Sequence, residues 1–515
     1  MQEWKGFQIL ILVCILLRLL SSCTDLSELE SRIDKLENNN SEIEVPRLIS
    51  FSFRAQLNPE QLIEDVNGIV VGDSIVECLI PYLVNNKLLV ADIVSTGDVY
   101  IDGINVKEQK RIDYSKPTFL TVYANDTIKQ YKVNVHTYTG LPVLWIETEN
   151  HASITSRDSF ISAHLRLVED IVNNDRERII DEDIQIKGRG NRTWWTDPKK
   201  SFRLKFKSKV SVLGEPSDKS WCLLPNYNDK TMLRNQTAMY LGMMSCLEYT
   251  PHMHFVELML NNQYHGTYQF SDKLKIDKHR VNVGSDGFLI EVDAHAPDEE
   301  SSRMISLPHL TYPLNIKDPD LEYNSSDYDF VKKYMLMADS VLYSVDFKDT
   351  DKGWQKYLDK ESLVDWYLIH EISKNLDTMW SSSYMNFKKG GKIHMGPLWD
   401  FDQAFGTEMA ESPYGYYVKE KDWFQRFWED PYFVQLVKTR FIYFYDKKEE
   451  LLNKINNDAS YLKYSVIENN NRWDVLYKYI WRNYTVWGCY QNEVTSMKQW
   501  IVERLEWMKA DLESR

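Results

Sequence analysis

Between residues 44 and 138 the apolar residues of this chain come in short runs: Leu48-Ile49-Ser50-Phe51-Ser52-Phe53, then residues 88–94, then residues 119–124. Residues 128–135 alternate apolar and polar, the period of a half-buried strand. Pairs such as Asp102-Gly103 and Asn125-Asp126 separate the runs as turns. Short strands broken by turns predict a β-sandwich of immunoglobulin-like type over residues 44–140. From residue 141 to 515 strand and helix patterns mix, and the expected class is α+β. There, Asp229 is placed to start a helix over residues 231–242 and Gly242 to end it. Residues 255–260 and 267–270 read as a hairpin around Asn261-Asn262. A helix beginning near Leu363 closes at residues 371–377 and is followed by strands over 381–388 and 393–399. In residues 491–514, Val494, Met497, Ile501, Leu505, Met508 and Leu512 recur at helical spacing, which predicts an amphipathic packing helix.

The first residues carry a different pattern. Residues 7–20 are almost wholly apolar, follow Lys5, and run into Leu20-Ser21-Ser22-Cys23. The run is shorter than the roughly 20 residues a membrane span needs and has the length of a signal-peptide core. Small residues before a cysteine resemble a bacterial lipobox. The expectation is a lipoprotein signal peptide over residues 1–22, lipidation of Cys23, and placement in the cell envelope outside the cytoplasmic membrane. Leu26, Leu29, Ile33 and Leu36 fall at 3-4-3 spacing, the seam of a short coiled coil, so residues 23–43 read as a helical spacer or an oligomerising stalk.

Composition narrows the function classes. Of the 515 residues, 43% are hydrophobic and 13% aromatic, enough for a large core. The net charge of −15 opposes general nucleic-acid binding. Of the six cysteines, Cys78, Cys222, Cys246 and Cys489 are scattered without metal-ligand spacing, so a zinc site is not expected and buried free thiols are.

Two stretches carry chemistry. The first is Gly188-Arg189-Gly190-Asn191 between the strand candidates Ile184-Gln185-Ile186-Lys187 and Lys199-Lys200-Ser201-Phe202-Arg203-Leu204-Lys205-Phe206. Glycines let backbone N–H groups approach an anion, and a basic strand neutralises phosphate charge. A tight hairpin with a solvated basic strand explains the same residues. On that strand Ser201, Arg203 and Lys205 share one face, and Lys200, Phe202 and Leu204 the other; one set lines a site. The second stretch ends in Asp400-Phe401-Asp402, with Asp377 upstream. In extended backbone Asp400 and Asp402 point to one side, as carboxylates holding a hard cation such as Mg²⁺ would. A separate carboxylate, Asp377, completes the layout phosphoryl transfer requires.

Taken in order, Lys187-Gly188-Arg189-Gly190-Asn191, the basic strand 199–205, Asn226-Tyr227-Asn228-Asp229-Lys230, Asn375 with Asp377, and residues 395–406 resemble the spore-coat-protein-H (CotH) kinase family over roughly residues 142–510. The resemblance implies a divergent protein-kinase-like fold, ATP with Mg²⁺ or Mn²⁺, and phosphorylation of a serine or threonine in a protein substrate. It makes Asp377 the catalytic base and Asp400 with Asp402 the metal ligands. It also makes a basic residue of the strand, Lys200 or Lys205, the phosphate contact. Where the family often has Thr-Glu-Gln, with a glutamate able to pair with that lysine, this chain has Ser271-Asp272-Lys273. Asp272 keeps the charge on a side chain one methylene shorter. The competing expectation is a surface binding or adhesion protein with a degenerate kinase-like domain.

Overall fold

A computed structural model describes residues 45–515 apart from 82–83, 85–86, 107–109, 170–178, 299–302, 408–411 and 484. The expected signal segment, Cys23 and the spacer with Leu26, Leu29, Ile33 and Leu36 lie outside the described residues. The chain divides into two compact units. One is drawn from residues up to Cys78 and from Asn86 to His136, the other from Leu79–Asn85 and Thr137–Arg515.

The first unit is β-rich. Its strands are β1 (Leu48–Phe53), β2 (Val66–Asn67), β3 (Ile69–Val71), β4 (Ile75–Ile80), β5 (Leu88–Leu89), β6 (Asp92–Ser95), β7 (Asp98–Ile101), β8 (Ile104–Asn105), β9 (Ile112–Asp113), β10 (Thr118–Ala124) and β11 (Thr127–Thr137). They form sheets ordered β2-β1-β6, β3-β4-β11-β10-β7-β8 and β5-β9. Asn125 and Asp126 join β10 to β11 with φ of 46° and 60°, the left-handed pair a two-residue hairpin requires. The single strand expected over residues 88–94 is two, β5 and β6, in different sheets. The cause is Asn58: its side-chain amide donates to the Val90 carbonyl at 2.9 Å and accepts from the Val90 N–H at 2.8 Å, taking Val90 out of any ladder.

The second unit mixes helix and strand, the class expected. Strands β12 (Val143–Thr148), β13 (Ile161–Val168), β14 (Ile179–Arg189), β15 (Ser201–Val210), β16 (Asp218–Leu224), β17 (Met253–Leu260) and β18 (Gln263–Asp272) close a barrel in the order β12-β13-β14-β15-β16-β18-β17. Neighbours are antiparallel except β12 and β17, whose parallel pairing closes the ring. Period-two alternation sends Phe202, Leu204 and Phe206 of β15 and Trp221 and Leu223 of β16 into the barrel core. Strands β19 (Gly287–Val292), β20 (Met304–Ile305), β21 (Leu314–Asp318), β22 (Ser383–Lys388) and β23 (His394–Met395) make a second sheet, β20-β21-β19-β22-β23.

The helices are α1 (Arg192–Trp195), α2 (Arg234–Met243), α3 (Ser326–Leu342), α4 (Lys360–Ser373), α5 (Asp422–Phe427), α6 (Pro431–Asp446), α7 (Lys448–Tyr461), α8 (Lys463–Trp473) and α9 (Tyr490–Ser514). Helix α4 is buried along almost its whole length, which its apolar run predicts; Asp359 caps its start and left-handed Lys374 ends it. On α9 all six residues of the predicted stripe are buried. Asp229 accepts the Arg234 N–H at 2.9 Å at the start of α2. Gly242 does not end that helix but lies within it, where an added Cβ would come within 2.7 Å of Leu398 and Thr250. Among the described residues, no helix is long and apolar enough to cross a membrane. Cys78 and Cys222 are buried free thiols as expected, but Cys246 and Cys489 are exposed.

Candidate functional site

A cleft of about 1100 Å³ opens in the second unit, lined by the ends of β14 and β15, by β19 and by the loops after α4 and β23. One side is cationic, and the other carries three aspartates together with Arg192 and Arg482.

The cationic wall follows from strand register. β14 and β15 pair Lys187 with Arg203 and Arg189 with Ser201. Because Phe202 and Leu204 fill the barrel, Ser201 and Arg203 face the cleft. Arg189 donates to the Ser201 hydroxyl at 3.3 Å and lies 5.3 Å from the Trp399 ring. Lys273, just past β18, also lines the cleft; burial, then the charge of Arg203, pushes its ammonium down to about 8. Burial also lowers the Arg203 guanidinium from its ordinary range.

The same parity corrects the expected phosphate lysine. Lys200 lies on the Phe202 side of β15 and donates to the Trp194 carbonyl at 2.6 Å, away from the cleft lining. Lys205 has the parity of Arg203 but is exposed farther along the strand, 5.8 Å from the Phe160 ring. Asp272 does not line the cleft either. It shares the parity of the core residue Phe270, pairs with Arg280 at 3.2 Å, and accepts from Tyr249 at 2.8 Å. The expected pairing of Asp272 with Lys200 or Lys205 is therefore replaced by one with Arg280. What sequence reasoning missed is that Arg203, Arg189, Lys187 and Lys273 supply the cations of this wall. Alternation had already put Arg203 beside Ser201, and only the filled barrel decides which face that is.

The two glycines of the first motif differ. At Gly188 an added Cβ would lie 2.3 Å from the Trp194 ring, so the residue makes room for packing. Gly190, at φ 85°, turns the chain out of β14 into α1.

The acidic side holds the three expected aspartates, Asp377, Asp400 and Asp402, all lining the cleft. They stand on loops fixed by side-chain hydrogen bonds. Asn375 Oδ1 accepts the Asp377 N–H at 3.2 Å, and Asn375 Nδ2 donates to the Asp400 carbonyl at 3.2 Å, tying the loops together. His370 on α4, held neutral because burial pushes it down to about 3, hydrogen-bonds Thr378 at 2.8 Å. Its ring packs 4.7 Å from that of Phe401, between the paired aspartates. Asn235 on α2 accepts the Phe401 N–H at 2.7 Å. The backbone is not extended as expected. β23 stops at Met395 because Pro397 has no N–H to donate and Asn386 takes the Gly396 carbonyl at 3.0 Å. Asp400 is left-handed, at φ 66°. Its carboxylate accepts from Ser382 at 3.2 Å.

Burial, then the charges of Asp400 and Asp377, raises the Asp402 carboxyl well above the usual carboxylate range. A cation would reverse that pressure. Among the described residues, no three His, Cys, Asp or Glu side chains gather into a ready metal cage. Two carboxylates do suit Mg²⁺, which takes its remaining oxygens from water and substrate phosphates. The polar groups left over fit an anionic ligand as well. Arg203 Nε and Asn226 Nδ2 are buried donors without a partner, both on residues lining the cleft.

A family model described as CotH kinase protein matches residues 184–508. No curated protein matches the chain. Among solved structures, that of a candidate glycoside hydrolase from Bacteroides thetaiotaomicron VPI-5482 aligns at 13% identity with a TM-score of 0.16, over 36% of this chain. The match spans about half of that protein, 53% of its chain.

Proposed function

Because the chain belongs to the CotH kinase protein family, we propose that it is a metal-dependent phosphotransferase that moves the terminal phosphoryl of ATP to a serine or threonine hydroxyl of a protein. The observation that carries this reading is the meeting, in one cleft, of Arg189, Arg203 and Lys273 with Asp377, Asp400 and Asp402. Phosphoryl transfer is mostly positioning and charge neutralisation, and opposed walls of this kind supply both.

In this reading Arg189 and Arg203 take phosphate oxygens, with Arg203 Nε gaining the partner it lacks. Asp400 and Asp402 hold Mg²⁺ or Mn²⁺, which when bound screens the phosphate charge. Asp377 orients the acceptor hydroxyl and receives its proton. Leu224, Leu289 and Tyr384, which line the same cleft, offer apolar surface to a base. The barrel and the helical part then serve as the two lobes of a divergent kinase-like fold, and the β-rich first unit as an immunoglobulin-like module. Cys23 is the proposed lipid attachment in the cell envelope, residues 26–37 a route to oligomers, and the partner a protein substrate.

The test is incubation with labelled ATP and Mg²⁺ or Mn²⁺. Asp377→Asn and Asp400→Ala are expected to lower incorporation roughly 10²-fold or more. Equal labelling of all three proteins rejects the reading.

One observation favours a second reading, a non-catalytic binding protein: Asp377 already has a cation, Arg482, at 3.6 Å. Partner binding indifferent to Asp377→Ala and Asp400→Ala, in a protein that takes up no nucleotide, is the result that selects it.

A further inference from the structure

Arg482 belongs to no motif singled out in the sequence, yet its side chain reaches the proposed base. It lies between α8 and α9 in the left-handed conformation, φ 67°, which for a non-glycine residue is held only by its surroundings. The next residue does the holding: Asn483 is buried and donates to the Asn228 carbonyl at 3.3 Å. Arg482 Nη1 donates to Gln403 Oε1 at 2.5 Å but stands 3.6 Å from Asp377 Oδ1, well beyond the roughly 2.7–2.9 Å of a charge-assisted bond. Of these two contacts, the one with the neutral amide is the closer and the one with the Asp377 carboxylate the longer.

A second guanidinium lies beside it. The Cζ atoms of Arg192 and Arg482 sit 3.6 and 4.3 Å from the centre of the Trp481 ring, so one indole carries both. Arg192 reaches Asp197 at 3.6 Å, and its Nη1 is buried with no hydrogen-bond partner. Two like charges near one ring repel, and an anion within reach of both relieves the repulsion and can satisfy that nitrogen. Both arginines line the cleft that holds the three aspartates.

We infer that Arg482 and Arg192 form the clamp for the terminal phosphate and that Arg482 exchanges partners when the nucleotide arrives. This rests on the phosphotransferase reading above. Before binding, Arg482 is the loose counter-ion of Asp377. With the nucleotide in place its guanidinium turns to the terminal phosphate oxygens, and Asp377 is released to the acceptor hydroxyl. The acceptor oxygen then bonds to the terminal phosphorus as the bond from that phosphorus to the bridging oxygen breaks. ADP carries away the electron pair, and the hydroxyl proton passes to Asp377. The base is thus occupied until a phosphoryl donor is present.

Calorimetric titration of the full chain with ATP, ADP and adenosine tests the clamp without measuring turnover. Arg482→Met is expected to weaken ATP roughly tenfold or more, the loss of a hydrogen bond between charged groups, while adenosine binds as before. Arg482→Lys, which keeps the charge without the fork, recovers part of the loss, and Arg192→Met shows the same split between ATP and adenosine. Equal weakening of ATP and adenosine, or no weakening of ATP, overturns the clamp alone. Failure of the unaltered protein to bind ATP with or without Mn²⁺ overturns the clamp and the phosphotransferase reading together. If Arg482→Met does not fold, Arg482→Lys and Arg192→Met decide between the same outcomes.

Discussion

Lys187, Arg189 and Arg203 stand on paired strands of a closed barrel, whereas Asp377, Asp400 and Asp402 stand on loops with left-handed residues and borrowed hydrogen bonds. On the strand side, register alone decides which residue faces the cleft. A shift of one residue would exchange Arg203 for Phe202, so the barrel core that buries Phe202 also fixes the arginine. On the loop side no periodicity acts. The loops are instead held by single side-chain hydrogen bonds, some local and some from far along the chain: Asn375 for Asp377, Ser382 for Asp400 and Asn235 for Phe401 between Asp400 and Asp402. The cations are therefore robustly placed at some cost in desolvation, and the acids depend on a buried polar framework that can be broken at single points.

The largest expected effect strikes that framework. The Asp229 carboxylate accepts from the Thr231 N–H at 3.0 Å, the Thr231 hydroxyl at 2.6 Å, and Arg234 N and Nη1 at 2.9 and 2.5 Å. Arg234 in turn donates from Nε to the Ala404 carbonyl, two residues past Asp402, at 2.9 Å. Asp229→Ala leaves Arg234 buried and uncompensated, which costs about 3–5 kcal/mol. Urea unfolding followed by tryptophan fluorescence measures it. Arg203→Met on the opposite wall is expected to change stability by less than about 1 kcal/mol, since it removes a buried donor that has no partner. Similar losses for the two substitutions break the contrast between the walls.

This contrast also explains what was legible in the sequence. The strand runs at 48–53, 119–124 and 128–135, the hairpin at Asn261-Asn262 and the stripe on α9 are local patterns with fixed periods, and they appear where expected. Asp377, Asp400 and Asp402 were legible as a group of acids, and all three line one cleft. Their backbone was not: the left-handed Asp400 depends on Ser382 and on a strand cut short by Pro397, and neither effect has a period. Lys200 and Asp272 were misplaced for one reason. Both carry the right charge on the barrel-core parity of their strands, and parity becomes known only when the barrel closes. Arg482 was invisible because it lies in an irregular segment 80 positions past Asp402, where no pattern connects it to the acids.

A smaller effect is expected on the cationic wall, and it depends on pH. Burial and Arg203 hold Lys273 down to about 8, against an ordinary 10.5. Between those two values the unfolded chain binds a proton that the folded chain does not, so Lys273 makes stability rise with pH in that window. Anion binding has the opposite sign, because a polyphosphate prefers the protonated ammonium. Its affinity should fall as pH rises through about 8, by up to roughly eightfold from pH 7.5 to 9 and never more steeply than tenfold per pH unit. Titration with tripolyphosphate across that range measures it. Lys273→Met should bind more weakly and show a flat profile, and a slope that survives the substitution places the titrating group elsewhere on the wall.

The smallest effect is the most discriminating for the strand argument. Lys205 has the parity of Arg203, two residues away on β15, and differs from it in exposure and in not lining the cleft. If basic character of the strand were what mattered, Lys205→Ala and Arg203→Met would weaken ATP alike. If position along the strand decides, Lys205→Ala changes stability by no more than about 0.5 kcal/mol and leaves ATP affinity where it was. Arg203→Met should then weaken ATP roughly tenfold, by removing a guanidinium that faces the cleft where the phosphates are proposed to lie. Lys200→Ala adds a third point, expected to lose the hydrogen bond to the Trp194 carbonyl with little change in ATP binding. Parallel calorimetry on the three variants separates the cases. Loss of ATP binding in Lys205→Ala with retention in Arg203→Met would mean that the functional face of β15 lies beyond the cleft, on the solvent-exposed part of the strand.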